Sequence, residues 1–189
     1  HLRVHDVSVL VLPHGSAFPV DAWPEMRAFF DEGGGLAVLG GAPLHEPVAF
    51  QASPGTWARG PRQTVFAHQL LIGPAEPITT PATTGWKTVL TAPAAMAGFA
   101  LDDAAFPAGK TTWSLTLRLT NDKELPDEHG SAGPRSSVAR PLLHVLDPSG
   151  TPRGCPLLEI DRLEGPSRGA RLVLATTDAK LEAPAIRQI

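Results

Sequence analysis

Four places in this sequence carry residue types that could do chemistry. The segment GGGLAVLGGAP, Gly33 to Pro43, sets a second glycine pair, Gly40 and Gly41, directly after four apolar residues. In many α/β enzymes a strand ending in such a small-residue turn presents a nucleophile, because only small side chains fit around the strained apex. The apex here is Ala42. Alanine offers no nucleophilic atom, so the glycines are expected to serve close packing or the approach of a ligand.

Upstream, Pro13-His14-Gly15-Ser16 supplies a hydroxyl for which His14, His45 or His68 could act as base and Asp21 or Glu46 as orienting acid, the constellation of nucleophilic hydrolysis. The competing reading is a βα loop at the carboxyl edge of a parallel sheet, where α/β proteins bind ligands. It assigns ligand contact, without catalysis, to His14, Ser16, Gly41 and His45.

Cys155, in PRGCPLLEID, is the single thiol. One cysteine excludes an internal disulfide and a cysteine-rich metal cage. Activation would need a histidine or a helix N-terminus beside it, and the nearest histidine in sequence is His144. A buried, inert thiol is expected. In NDKELPDEHGSAGPR, Asp122, Glu124, Asp127, Glu128 and His129 offer ligands to a cation, but the spacing is not that of a calcium loop. A solvated hairpin tip is expected there, and neither a metal nor a cofactor is expected anywhere. Trp57, Trp86 and Trp113 could stack on sugar rings, or anchor core and loops.

These residues need elements to hold them. VSVLVL, Val7 to Leu12, is a short apolar run between turn residues and predicts a strand buried on both faces, as in a parallel sheet. VDAWPEMRAFFDEGG spaces Trp23, Met26, Phe29 and Phe30 as one face of a helix, with Asp21 as cap, Pro24 in the first turn and Gly33 closing the end. Leu36 to Leu39 follows as a second strand, so the segment reads as a βαβ unit. Val65, Phe66, Leu70 and Leu71 mark the buried side of a short helix or strand, and PAEPITTPATTG is expected to be an irregular loop ordered by Trp57 and Trp86.

The second half alternates. TTWSLTLRLT (111–120) has the period of two of a half-buried antiparallel strand, and PLLHVLD, LLEID and RLVLAT add strands separated by the turn-like DPSGTPRG and EGPSRG. The expected fold class is α/β: a partial doubly wound parallel sheet with an antiparallel β-rich insertion. Its divisions are an α/β part over 1–100, a β-rich insertion or sandwich over 101–178, and a return to the α/β part over 179–189. A βαβ unit starting at the first residues needs further strands, so either later segments complete the sheet or N-terminal strands are missing; with no initiating methionine in HLRV, the second is favoured and the chain is expected to be a piece of a larger protein.

The buried strand ending in Pro13-His14-Gly15-Ser16, the amphipathic helix and GGGLAVLGG together resemble the class I glutamine amidotransferase-like superfamily. Within it the similarity is to non-catalytic versions embedded in large bacterial carbohydrate-active enzymes, such as the trimerisation domain of some beta-galactosidases. It covers roughly residues 6 to 43. The resemblance implies a flavodoxin-like or amidotransferase-like sheet, and it places the family's catalytic cysteine at Ala42. No His-x-Glu pair of the family type stands near the C-terminus.

Composition excludes several partners. The chain of 189 residues has a net charge of -3, and its twelve arginines are scattered among acids. A nucleic-acid footprint needs a concentrated basic face, so no nucleic acid is expected, and no anionic membrane surface either. No apolar run reaches the roughly 20 residues that span a bilayer. Abundant Ala, Arg, Gly and Pro with few Lys and Asn match a GC-rich bacterial genome.

The leading expectation is therefore a non-catalytic structural or assembly module of a larger bacterial glycoside hydrolase. Its partner would be a catalytic domain or subunit, with a carbohydrate or a second copy of the chain as further partners, and secretion or the periplasm is favoured over the cytoplasm. The alternatives are an independent hydrolase or amidohydrolase using Ser16 or Cys155, and a sugar-binding module. Arg118, Arg135 and Arg140 are the side chains expected to meet partner acids.

Overall fold

The computed structural model describes residues 7–53, 55–79, 85–92, 104–105, 111–115, 137–165 and 167–176. Its architecture is mixed α/β and dominated by sheet. The predicted βαβ unit forms: strand β1 (Val9–Leu12), a short strand β2 (Ala17–Pro19), helix α1 (Trp23–Asp31), then strand β3 (Gly35–Leu39), which pairs in parallel with β1 from Val9 opposite Gly35 to Leu12 opposite Val38. Met26, Phe29 and Phe30 are the buried side chains of α1, as their spacing requires. Gly33 closes the helix at a φ of 94°, a conformation that costs glycine nothing. Asp21 does not cap it. Asp21 lies instead in a single 3-10 turn, Val20–Ala22, and the N-cap residue is Ala22, with no side-chain bond to the helix.

Downstream come β4 (Glu46–Gln51), β5 (Thr56–Arg59), helix α2 (Val65–Gln69), β6 (Glu76–Thr79), β7 (Lys87–Leu90), β8 (Ala104–Ala105), β9 (Thr111–Ser114), β10 (Ser137–Leu146), β11 (Pro152–Arg162) and β12 (Arg171–Ala175). The main sheet has the order β1-β3-β12-β11-β10-β7-β8. The first three strands are parallel and the remainder antiparallel. Two small sheets, β2-β4-β5 and β6-β9, complete the described structure.

Three expectations are corrected. Among the described residues the antiparallel strands of the second half join the parallel strands in one sheet instead of forming a separate sandwich: Leu172 to Ala175 pair directly with Leu36 to Leu39. Local alternation reports how a strand is buried, and it carries no information about which strand lies alongside. Second, β1 is not buried on both faces. It is an edge strand of the described sheet, with Val9 and Val11 39% and 50% exposed while Leu10 and Leu12 pack on the core. Third, PAEPITTPATTG is partly regular, because Glu76–Thr79 pairs with β9, and Pro77 is tolerated in a two-stranded ribbon where each strand has an outer edge.

The main core occupies one face of the sheet, where Leu36, Val38, Leu158, Ile160, Leu172 and Leu174 meet Met26 and Phe30 of α1, Ala67 of α2, and Phe18. Ala37, Val173, Ala175, Leu157, Leu142 and Leu143 form a second cluster. Because side chains alternate along a strand, β3 and β12 supply both clusters. Burying one aliphatic side chain contributes about 1.5–3 kcal/mol, so the central strands hold most of the described stabilisation. Arg162 is 4% exposed yet charged; its guanidinium donates to the Leu70 carbonyl and to Ser137 Oγ (2.8 Å) and lies 5.6 Å from the Phe30 ring centre. It pins the end of β11 to α1 and to the residue that ends α2. The acidic cluster 122–129, Arg118, Arg135 and the segment 179–189 lie outside the described residues.

Candidate functional site

Parallel strands must return through a crossover, so β1 and β3 end on the same side of the sheet, and their two exit turns face each other. The chain leaves β1 through Pro13–Ser16 and β3 through Gly40–Leu44. Backbone bonds lock the two turns: Gly15 N donates to Leu39 O (2.7 Å), Leu44 N to Gly15 O (2.6 Å) and Glu46 N to Ser16 O (2.6 Å). Gly40 N donates to Ala175 O (2.6 Å), which adds the end of β12. Gly40, Gly41 and Leu44 all have positive φ, 81°, 69° and 57°. Glycine takes this conformation freely; the fully buried Leu44 is held there by its packing and its bond to Gly15.

Strand β9 reaches the same edge. Thr176, immediately after β12, donates from Oγ1 to Trp113 O (2.6 Å), and Thr112 Oγ1 donates to Thr176 O (3.2 Å). From the other side, the β4–β5 hairpin folds back so that Gly60 N meets Pro47 O (2.7 Å) and Gln63 N meets His45 O (3.0 Å), which delivers Arg62 beside Glu46.

The result is a cavity of about 250 Å³ lined by Ser16, Gly41, Ala42, His45, Glu46, Arg62 and Trp113. Of the four residues expected to touch a ligand, Ser16, Gly41 and His45 are brought together and the exposed His14 is not among the lining. Ala42, a buried residue with no nucleophilic atom, is also in the lining. A Cβ at Gly41 would come within 2.9 Å of Ser16 Oγ, so this glycine keeps the space beside the hydroxyl open. Glu46, expected as an orienting acid, and Trp113, expected as a sugar-stacking or anchoring ring, join them in the lining. Arg62 was not foreseen, since the hairpin that returns it leaves no mark in the local pattern.

Charge is arranged unevenly. Glu46, only 14% exposed, accepts from Arg62 Nε (3.0 Å) and Arg59 Nη1 (3.2 Å), with Arg62 Nη2 at 2.9 Å. Burial holds the His45 imidazole below its ordinary pKa, the Arg62 cation pushes it the same way, and Glu46 opposes them with a smaller effect. The ring is thus neutral at pH 7, with one nitrogen donating and one accepting. It meets Trp113 edge to face at 6.4 Å.

Cys155 stands elsewhere. It is buried in the main core, its thiol donates to Leu157 O (3.0 Å), and burial pushes its pKa up to about 11. His68 lies on α2, its Nδ1 3.5 Å from Thr64 Oγ1, and is not among the cavity lining. Trp57 is 60% exposed and stacks edge-on with Phe50 at 5.5 Å, whereas Trp86 packs against Ile78 and Val145. Arg140, expected to await a partner, is bonded within the chain to Asp161 and Glu159. Among the described residues no group of three His, Cys, Asp or Glu is placed to hold a metal, and no helix is long and apolar enough to cross a membrane. Comparison with family models, with curated proteins and with solved structures finds no match.

Proposed function

We propose that this chain is a non-catalytic, amidotransferase-like α/β module, with a partial doubly wound arrangement, that serves assembly within a larger bacterial carbohydrate-active enzyme. One observation carries the non-catalytic part. The glycine-rich turn after β3 carries Ala42 at the cavity, at the position where the resemblance places a catalytic cysteine, and alanine has no nucleophilic atom. The chain's thiol supports the same reading, because Cys155 is 7% exposed and held in its protonated form. Thiolate, not thiol, is the attacking species. The assembly part rests on the sequence resemblance and on the apolar side chains left at the surface, Val9 and Val11 on β1 and the Phe50–Trp57 pair on the β4–β5 hairpin.

Turnover of glutamine, p-nitrophenyl esters and p-nitrophenyl glycosides by the purified chain tests the first part. Background rates are expected for all three, and any turnover that Ser16→Ala abolishes would restore the hydrolase reading. Intact mass and light scattering of the natural gene product test the second. A product of this chain's own mass that stays monomeric would remove the assembly role.

A further inference from the structure

The cavity at the carboxyl edge combines three features that select a ligand. Its polar lining residues are Arg62, a neutral His45, Glu46 and Ser16; Trp113 and Ala42 are its apolar ones; and its volume of about 250 Å³ is that of a small molecule. We propose that this cavity binds a small organic carboxylate, with the carboxylate on Arg62 and His45 and the apolar body against Trp113. The inference takes from the proposed function the assignment of Ser16 and His45 to ligand contact, and binding is read separately from turnover in the test.

Charge decides between an anion and a cation. Glu46 is the one acid in the lining, and its two oxygens already accept from Arg62 and Arg59. Two guanidinium groups against one carboxylate leave a net positive charge. A guanidinium has five N–H donors in a planar fork, and Arg62 meets Glu46 through Nε and Nη2, which leaves its Nη1 edge directed to neither Glu46 oxygen. The field at His45 has the same sign, because the effect of Arg62 there exceeds that of Glu46. A cation would face this excess positive charge; an anion is attracted by it. The 74% exposure of the Arg62 side chain lets it swing onto a ligand without unfolding its surroundings.

The proposal carries a proton. The charged or titratable groups facing His45 are Glu46 of β4 and Arg62 of the segment before α2, with Arg59 of β5 behind Glu46; Trp113 of β9 and Ser16 add no charge at neutral pH. An anion seated against the imidazole favours its charged form and raises its pKa in the complex above that of the free chain. Affinity must therefore rise as pH falls through the raised value and level off below the free value. A change of one unit corresponds to about tenfold in affinity.

The test titrates the intact chain with sodium benzoate, with benzamide as its neutral isostere, with inorganic phosphate and with a hexaglutamate peptide, followed by calorimetry and by the ring resonances of His45. Saturable one-to-one binding of benzoate is expected, tighter than benzamide or phosphate, with affinity higher at pH 5.5 than at pH 8. Arg62→Met should weaken benzoate at least about tenfold, and His45→Gln should keep binding at pH 8 while flattening the pH dependence. Equal binding of benzoate and benzamide, no saturable binding, or unchanged affinity in Arg62→Met would overturn the proposal. Preference for hexaglutamate would overturn it in favour of an acidic protein partner. Hydrolysis of benzamide or of p-nitrophenyl benzoate would instead sink the non-catalytic reading while leaving carboxylate recognition in place.

Discussion

At the scale of single residues, Cys155 and His45 show how one physical cause, removal from water, silences one group and tunes another. The Cys155 thiol has a pKa raised from 9.0 to about 11, which leaves about a hundredfold less thiolate than an ordinary cysteine at pH 8. Iodoacetamide should accordingly modify the native chain at least about a hundredfold more slowly than the chain in urea, as read by intact mass; equal rates would mean an accessible, reactive thiol. His45 acts through stability. Its folded pKa is lowered below the unfolded value of 6.5, so the unfolded chain takes up the proton first. Stability is therefore whole above pH 6.5 and declines as pH falls from there to the folded pKa. Asp161, held below 3.8 by Arg140 and Arg171, adds its own loss only in more acidic solution, as its folded pKa is crossed. Urea midpoints at pH 7.5 and pH 5.5 should differ for the parent chain and coincide more closely for His45→Gln.

At the scale of elements, the two exit turns and the edge strand give contrasting predictions. Gly41 and Gly150 share a left-handed backbone, with φ of 69° and 83°. A methyl group at Gly150 meets nothing within 4 Å, while one at Gly41 is driven to 2.9 Å from Ser16 Oγ. Gly150→Ala should cost about 1 kcal/mol for the backbone alone, and Gly41→Ala measurably more, with loss of the cavity as well. Along the sheet, Val11→Thr on the exposed face of β1 should fall within about 0.5 kcal/mol of the parent, whereas Leu174→Ala in β12 should cost about 2–5 kcal/mol. A large loss at Val11 would mean that something covers this edge. These elements were legible in the sequence to different degrees, for identifiable reasons. The helix spacing of Met26, Phe29 and Phe30 and the stop at Gly33 are local, and both were read directly. The exposed face of β1 was not, because VSVLVL has the same apolar pattern whether one face is covered or two. Three of the four residues expected at a ligand, Ser16, Gly41 and His45, lie together in one cavity lining, as the rule that loops meet at the carboxyl edge of parallel strands anticipates. Arg62 and the wall position of Trp113 are not anticipated by it, since they arrive through pairings of β4 with β5 and of β6 with β9 that no local pattern encodes.

At the scale of the whole molecule, the pairing of β3 with β12 has the largest consequence. Residues 36–39 bond to residues 172–175, so strands from opposite ends of the described chain share both core clusters. Contacts this distant in sequence cannot be lost at one end while the other stays folded, which is the physical basis of cooperative unfolding. The cavity depends on the same pairing, because Gly40 bonds to Ala175, and Thr176 holds the strand that carries Trp113. Urea unfolding followed by tryptophan fluorescence and by far-ultraviolet circular dichroism should therefore give one transition with coincident midpoints. Leu172→Ala, remote from the cavity in sequence, should shift both midpoints together, by about 2–5 kcal/mol when converted through the measured slope. Two transitions, or a fluorescence midpoint that Leu172→Ala leaves in place, would show instead that the N-terminal βαβ unit and the antiparallel strands fold independently. The cavity between them would then be a junction of two separately stable parts.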